Sequence, residues 1–325
     1  MKIPRRRFLG LAAGSAALMA VPRPGVAQSY PTRPISLVVF AGAGGAPDIV
    51  ARIVATPLSQ RLGQPVVIDN RPGAGGNIAL QAVARAPADG YTLLLVATPH
   101  AVNVTLYEKQ EVNLLRDIVP VASIDDDAFA LLVTKSLPVN SVAELIAYAK
   151  ANPGKINMTS SGTGNLSHLA GELFKMVTGT QMVHVPYRGM PAANTALITG
   201  EAHVMFNALP SALPHVKQGT VRAIGVTTRT RVKLLPDIPA ISDTVPDYAV
   251  TGWLGIGAPK GTSAEVVDRL NREMNAVLKD PEVLTRLAHA GSEPFSGSPA
   301  DFGKFLAAET EKWSKVVRFA GLRVE

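Results

Sequence analysis

The chain has 325 residues, 47% of them hydrophobic and 18% charged, and no cysteine. That length suggests two domains of about 100–200 residues each; the composition excludes bulk disorder, and the missing cysteine excludes disulfides, thiolate nucleophiles and zinc–thiolate sites. The net charge of +7 is an N-terminal property: Lys2, Arg5, Arg6, Arg7 and Arg23 stand among residues 1–27 without an acid, and removing them leaves 27 basic against 25 acidic residues. No basic footprint for nucleic acid survives.

In chain order, the basic start is followed by an apolar run from Phe8 to Val21. This run is shorter than the ~20 residues needed to span a bilayer and fits the apolar part of a signal peptide. Gly25-Val26-Ala27 offers small residues for cleavage near Ala27, and Arg5-Arg6 ahead of Phe8-Leu9 fits a twin-arginine export signal. The expected location is therefore the periplasm.

Strand-like and helix-like stretches then alternate. Ile35–Phe40 reads as a strand broken by Gly42–Gly45, and Asp48–Leu62 as a helix with Gly63 as its stop and Pro57 as an expected kink or early end. Val66–Ile68 is a strand, Asn70–Asn77 a glycine-rich loop, Ile78–Ala86 a helix and Tyr91–Ala97 a buried strand. Ala128–Thr134 is strand-like, and Ser141 with Glu144 forms a capping box opening a helix to Lys150. Leu166, Leu169, Ala170, Leu173, Phe174 and Val177 make a helical stripe ended by Gly179. Val183–Val185, Ala202–Phe206, Val221–Thr227 and Thr251–Gly257 read as strands; Val266–Val277 and Phe302–Val317 read as helices. The alternation argues for an α/β architecture with largely parallel sheets. Two domains without a linker suggest a chain that crosses between them more than once.

Enzyme motifs fail in turn. Gly42-x-Gly44 is followed by Pro47 and Gly73-x-Gly75 by Ile78 where a dinucleotide fingerprint needs a third glycine; Gly154-Lys155 continues with Ile156. No nucleophile elbow exists, and the six histidines (100, 168, 184, 203, 215 and 289) show no metal-ligand spacing. No catalytic residue, cofactor or metal is expected. Two glycine-rich loops, Gly42–Gly45 and Ser160–Asn165, each join the carboxyl end of a predicted strand to a helix. That is where open α/β sheets bind ligands and where helix N-termini attract anions.

From Tyr30 to Leu322 the sequence resembles the periplasmic receptors of tripartite tricarboxylate transporters, the Bug-type receptors, most specifically in Leu62–Asn77, Asp89–Leu93, Ser167–Phe174, His184–Gly189 and Leu209–Pro214. The resemblance implies a two-domain flytrap fold with a central ligand cleft and two crossing strands. Residues 28–128 plus 251–325 would form the first domain and 129–250 the second. It implies a small organic acid as ligand, held by Gly44, Gly45, Asp48, Thr98 and His100 of the first domain and by Ser160, Ser161, Gly162, Thr163, His168, Tyr187, Arg188 and Asn207 of the second. The implied partners are integral membrane components of a transporter, or alternatively a sensor kinase, with the receptor a monomer; an enzyme on the same scaffold, using His100 or His168 with Asp48, is the rival. Two positions depart from the family pattern. Pro47 replaces a threonine and so removes a hydroxyl and an N–H, and Asn207 stands where many relatives carry aspartate.

Overall fold

A computed structural model describes residues 30–107 and 109–323, so the predicted signal segment 1–27 lies outside the described residues. Three parallel strands open the fold: β1 (Ile35–Val39), β2 (Val66–Asn70) and β3 (Thr92–Ala97), with β1 in the middle. They are connected through α1 (Ala46–Leu62) and α2 (Asn77–Ala84); α3 (Thr98–Leu106) and a short α4 (Leu114–Asp117) follow. The alternation is physical: β-branched apolar runs buried on both faces make strands, and each intervening helix buries one apolar stripe. In α1 that stripe includes Val50, Ile53, Val54, Leu58 and Leu62. The helix runs through Pro57 to its left-handed cap at Gly63, so the expected early end does not occur. One forfeited hydrogen bond is outweighed by burial of the stripe.

The element on which both halves hang is β4, a 17-residue strand from Ile118 to Thr134. Only its second half was legible as Ala128–Thr134; the first half carries Asp125, Asp126 and Asp127, which break the apolar pattern. Residues 118–128 pair antiparallel with β9 (Thr251–Pro259), and β9 pairs antiparallel with β3. From Phe129 onward β4 pairs instead with β7 (Val204–Ala208), and from Ala130 also with β8 (Val221–Val226) on its other edge. β7 continues in parallel to β5 (Ile156–Ser160), and β5 to β6 (Met182–Pro186). Around this second sheet lie α5 (Val142–Ala151), α6 (Leu166–Thr178), α7 (Met190–Thr199) and α8 (Leu209–Lys217). The chain returns where Val250 N–H donates to Thr227 and Thr227 N–H to Phe129, beside the start of β9. After β9 come α9 (Ala264–Val277), α10 (Pro281–His289), the short β10 (Ser292–Pro294), which pairs with Asp125–Asp127 of β4, and the long α11 (Pro299–Phe319).

Glycine in β9 lets α11 press directly on the sheet: a Cβ at Gly255 would lie 2.2 Å from Phe302 Cζ. A buried carboxylate holds the same contact. Glu309 Oε2 accepts from the indole N–H of Trp253 on β9 (3.1 Å) and of Trp313 on α11 (2.9 Å), while Oε1 pairs with Lys312. Glu309→Leu leaves two buried indole donors without their acceptor and the Lys312 ammonium with the Ala249 carbonyl but no counter-charge, and we expect it to cost about 3–5 kcal/mol. Glu309→Gln keeps a carbonyl acceptor and should lose less than half of that in urea unfolding.

Candidate functional site

All the loops singled out in the sequence lie at the carboxyl ends of parallel strands, β1 and β3 in one sheet and β5, β6 and β7 in the other. Where the two sheets meet there is a cavity of about 570 Å³. One wall is the start of α1 (Ala46, Pro47) and of α3 (Thr98, Pro99); the floor is Asp127 of β4 and Gly252–Leu254 of β9; Leu166 of α6 reaches in from the second sheet. Arg286 and His289 of α10 and Ser292 of β10 also line it, with the apolar Ile49, Val50 and Ile53 of α1.

Of the sequence-predicted residues, only Thr98 lines this cavity. It is the first residue of α3 and is buried, and its hydroxyl has no hydrogen-bond partner. Its neighbour His100 is fully buried behind it. The imidazole Nδ1 accepts from Ala97 N–H (3.0 Å), which places the ring proton on Nε2. Burial pushes its pKa down to about 4, so it is a neutral cap of α3.

The first glycine loop is closed by Asp48. One carboxylate oxygen accepts from Gly44 N–H and Arg52 Nε (both 2.9 Å) and the other from Asn70 Nδ2 (2.9 Å). The Arg52 bond foremost, with the Gly44 and Asn70 bonds, holds this buried carboxyl far below the usual range despite desolvation. Gly45 N–H donates to Gly42 carbonyl. The loop's own glycine N–H groups are thus spent in shaping it, with Gly44 at the positive φ of 80° that the turn requires. The unpaired N–H groups that remain belong to the first turn of α1.

The second glycine loop is similarly self-bonded. Ser160 Oγ lies 2.7 Å from His184 Nε2 and 3.0 Å from Gly162 carbonyl. Ser161 N–H donates to Ser167 Oγ and Ser161 Oγ accepts from Asn165 Nδ2 (2.6 Å); Gly164 N–H donates to His168 Nδ1 (3.1 Å). The rings of His168 and His184 stack at 3.6 Å. Burial first, then the neighbouring His168, pushes His184 down to about 4. His168 and Thr163 open onto a separate recess of about 500 Å³ shared with Glu172, Lys175 and His184. Tyr187 is half-buried and Arg188 exposed after β6. Asn207 is fully buried, its Nδ2 donating to Asn194 Oδ1 (2.9 Å) and its Oδ1 unpaired.

Sequence reasoning missed the acidic floor. Asp127 Oδ1 accepts from Ser292 Oγ (2.7 Å), and Asp125 Oδ1 accepts from Leu254 N–H (2.9 Å). Burial raises Asp127 to about 6; burial, then the charge of Asp127, raises the fully buried Asp125 well above the ordinary range. The available signal was the run of three acids inside what the pairing makes a strand, a break in the local apolar pattern.

Two α/β sheets joined by crossing strands, with a cavity at their junction bordered by helix N-termini, define a two-domain solute-binding receptor of the periplasmic-binding-protein type. The chain belongs to the tripartite tricarboxylate transporter family receptors, whose sequence profile matches residues 50–322. Protein BugT of Bordetella pertussis is 34% identical over 312 residues, covering 95% of this chain and 96% of BugT. Among solved structures, R. palustris Rpa4515 with adipate is 40% identical, with a TM-score of 0.74, covering 90% of this chain and 99% of that one. MatC from Rhodopseudomonas palustris, with bound malate, is 30% identical, with a TM-score of 0.71, covering 89% of this chain and 100% of that one.

The acidic floor makes a pH prediction. With Asp127 raised from 3.8 to about 6, the folded state binds more protons than the unfolded one in that window, so this group's contribution to stability is present at low pH and lost as pH rises through about 6. Asp127→Asn removes the loss. Its stability relative to the wild type should therefore rise between pH 4 and pH 7, by on the order of 2 kcal/mol, in urea titrations at each pH. A difference independent of pH would contradict the assignment.

Proposed function

We propose that this chain is a periplasmic receptor for a small organic carboxylate, which it hands to the integral membrane components of a tripartite transporter without transforming it. The single observation that carries the carboxylate reading is Thr98, a residue of the cavity lining at the N-terminus of α3 whose buried hydroxyl has no partner among the described residues. A buried hydroxyl without a partner costs about 1–3 kcal/mol, and an anion at a helix N-terminus would supply one. The adipate and malate in the two solved relatives favour the same ligand class.

In this reading residues 28–128 with 251–325 are one lobe and 129–250 the other. In support, β4 changes pairing partner at Phe129 and β9 opens at Thr251. Closure would bring Ser160–Thr163, Tyr187, Arg188 and Asn207 toward a ligand first held at Thr98 and the start of α1, with Gly44 and Gly45 shaping the loop that leads into that helix. Asp48, His100 and His168 would act by fixing the loops. The same bonds speak against the enzyme rival: the Nδ1 atoms of His100 and His168 and the carboxylate of Asp48 are each committed to holding backbone or side-chain donors. The receptor would work as a monomer after export, with residues 1–27 removed.

Two measurements test this. Thr98→Val is isosteric and removes only the hydroxyl; it should weaken binding of any acid that stabilises the wild type by about 10- to 150-fold while leaving the melting temperature of the empty protein unchanged or slightly raised. Unaltered affinity, or consumption of the acid, would overturn the reading. Intact-mass analysis of exported protein should find a chain beginning at Gln28, and one retaining Met1 would refute the processing.

A further inference from the structure

The cavity has two chemically opposite ends. At one, the starts of α1 and α3, with Thr98 as the first residue of α3, offer backbone donors and positive helix ends. At the other, Asp127 belongs to an acidic run in which Asp125 is fully buried and Asp126 half-buried. Asp127 Oδ1 is taken by Ser292, and Oδ2 has no protein donor among the described residues.

We propose that Asp127 determines ligand choice: resting on the carboxylate reading above, the cavity takes an amino-carboxylate whose carboxylate meets Thr98 and the helix starts and whose ammonium donates to Asp127, in preference to a dicarboxylate. A second carboxylate placed at the floor would face the charge of Asp127 in a half-buried setting, where like charges repel far more strongly than in water. An ammonium there gains a charge-assisted hydrogen bond instead. The cationic groups that share the cavity do not reverse this. Arg286 and His289 stand exposed on α10 at its rim, where solvent screens them, whereas Asp127 sits on the strand that forms the floor. Gly252, directly opposite Asp127 in the β4–β9 register, keeps the space beside it clear: a Cβ there would meet Asp127 Cβ at 3.3 Å and Leu166 Cδ2 at 3.6 Å.

The test is calorimetry at pH 7.5 on the mature wild-type protein and Asp127→Asn, shown to be ligand-free by native mass spectrometry. The probes are the natural amino acids, ω-amino acids of three to six carbons, and the dicarboxylates from succinate to adipate. The wild type should bind an amino-carboxylate at least 10-fold more tightly than the dicarboxylate of matched length. In Asp127→Asn that advantage should fall by about 10- to 150-fold, with the dicarboxylates bound as well as or better than by the wild type. A wild-type preference for dicarboxylates, or a ratio untouched by the substitution, overturns the role of Asp127 and leaves the carboxylate reading standing. Binding of no acid in the panel overturns both. Urea unfolding of both proteins at the same pH distinguishes a lost preference from a lost fold.

Discussion

The constraint from which the rest of the molecule follows is the continuity of β4. A strand can change sheets only if every backbone N–H and C=O finds a new partner at the point of change. Here the change takes one residue, from Ala128 paired with Thr251 to Phe129 paired with Ala208. Thr227 closes the junction by donating its N–H and hydroxyl to Phe129 carbonyl and accepting Phe129 N–H on the same hydroxyl. Because the return crossing at Val250 bonds to that threonine, the two passages of the chain are fastened to each other. Everything at the cavity floor is positioned by this knot of backbone bonds.

Charge is divided in the same economical way. The carboxylates with the most partners are structural: Asp48 shapes a loop, and Glu309 joins two tryptophans. The carboxylates short of partners, Asp125 and Asp126 each with one buried oxygen unpaired, are gathered at the junction. Low-dielectric surroundings make a satisfied carboxylate stabilising and an unsatisfied one costly.

The α/β alternation and most strand and helix positions were legible because they rest on local periodicity, and that alternation by itself put the two glycine loops at the carboxyl ends of strands. The cavity lining was not legible. Leu166 looks like one more apolar residue of a helical stripe, and Ser292 like a loop residue; only sheet topology brings them beside Asp127, which precedes the one by 39 residues and the other by 165. Conversely, Asp48 and His168 have the chemistry of ligand groups, yet local hydrogen bonds to Gly44 and Gly164 claim them. Residue type announces capacity; competition with nearby backbone donors decides its use.

α11 packs on α3 of the first sheet's layer and on α6 of the second, and its end, with Phe319 and Leu322, borders the recess that holds the His168–His184 stack. Fixed to the first sheet by Phe302 and Glu309, the helix carries α6 on its other side, so the α6–α11 contact ties the second sheet to the first beside that recess.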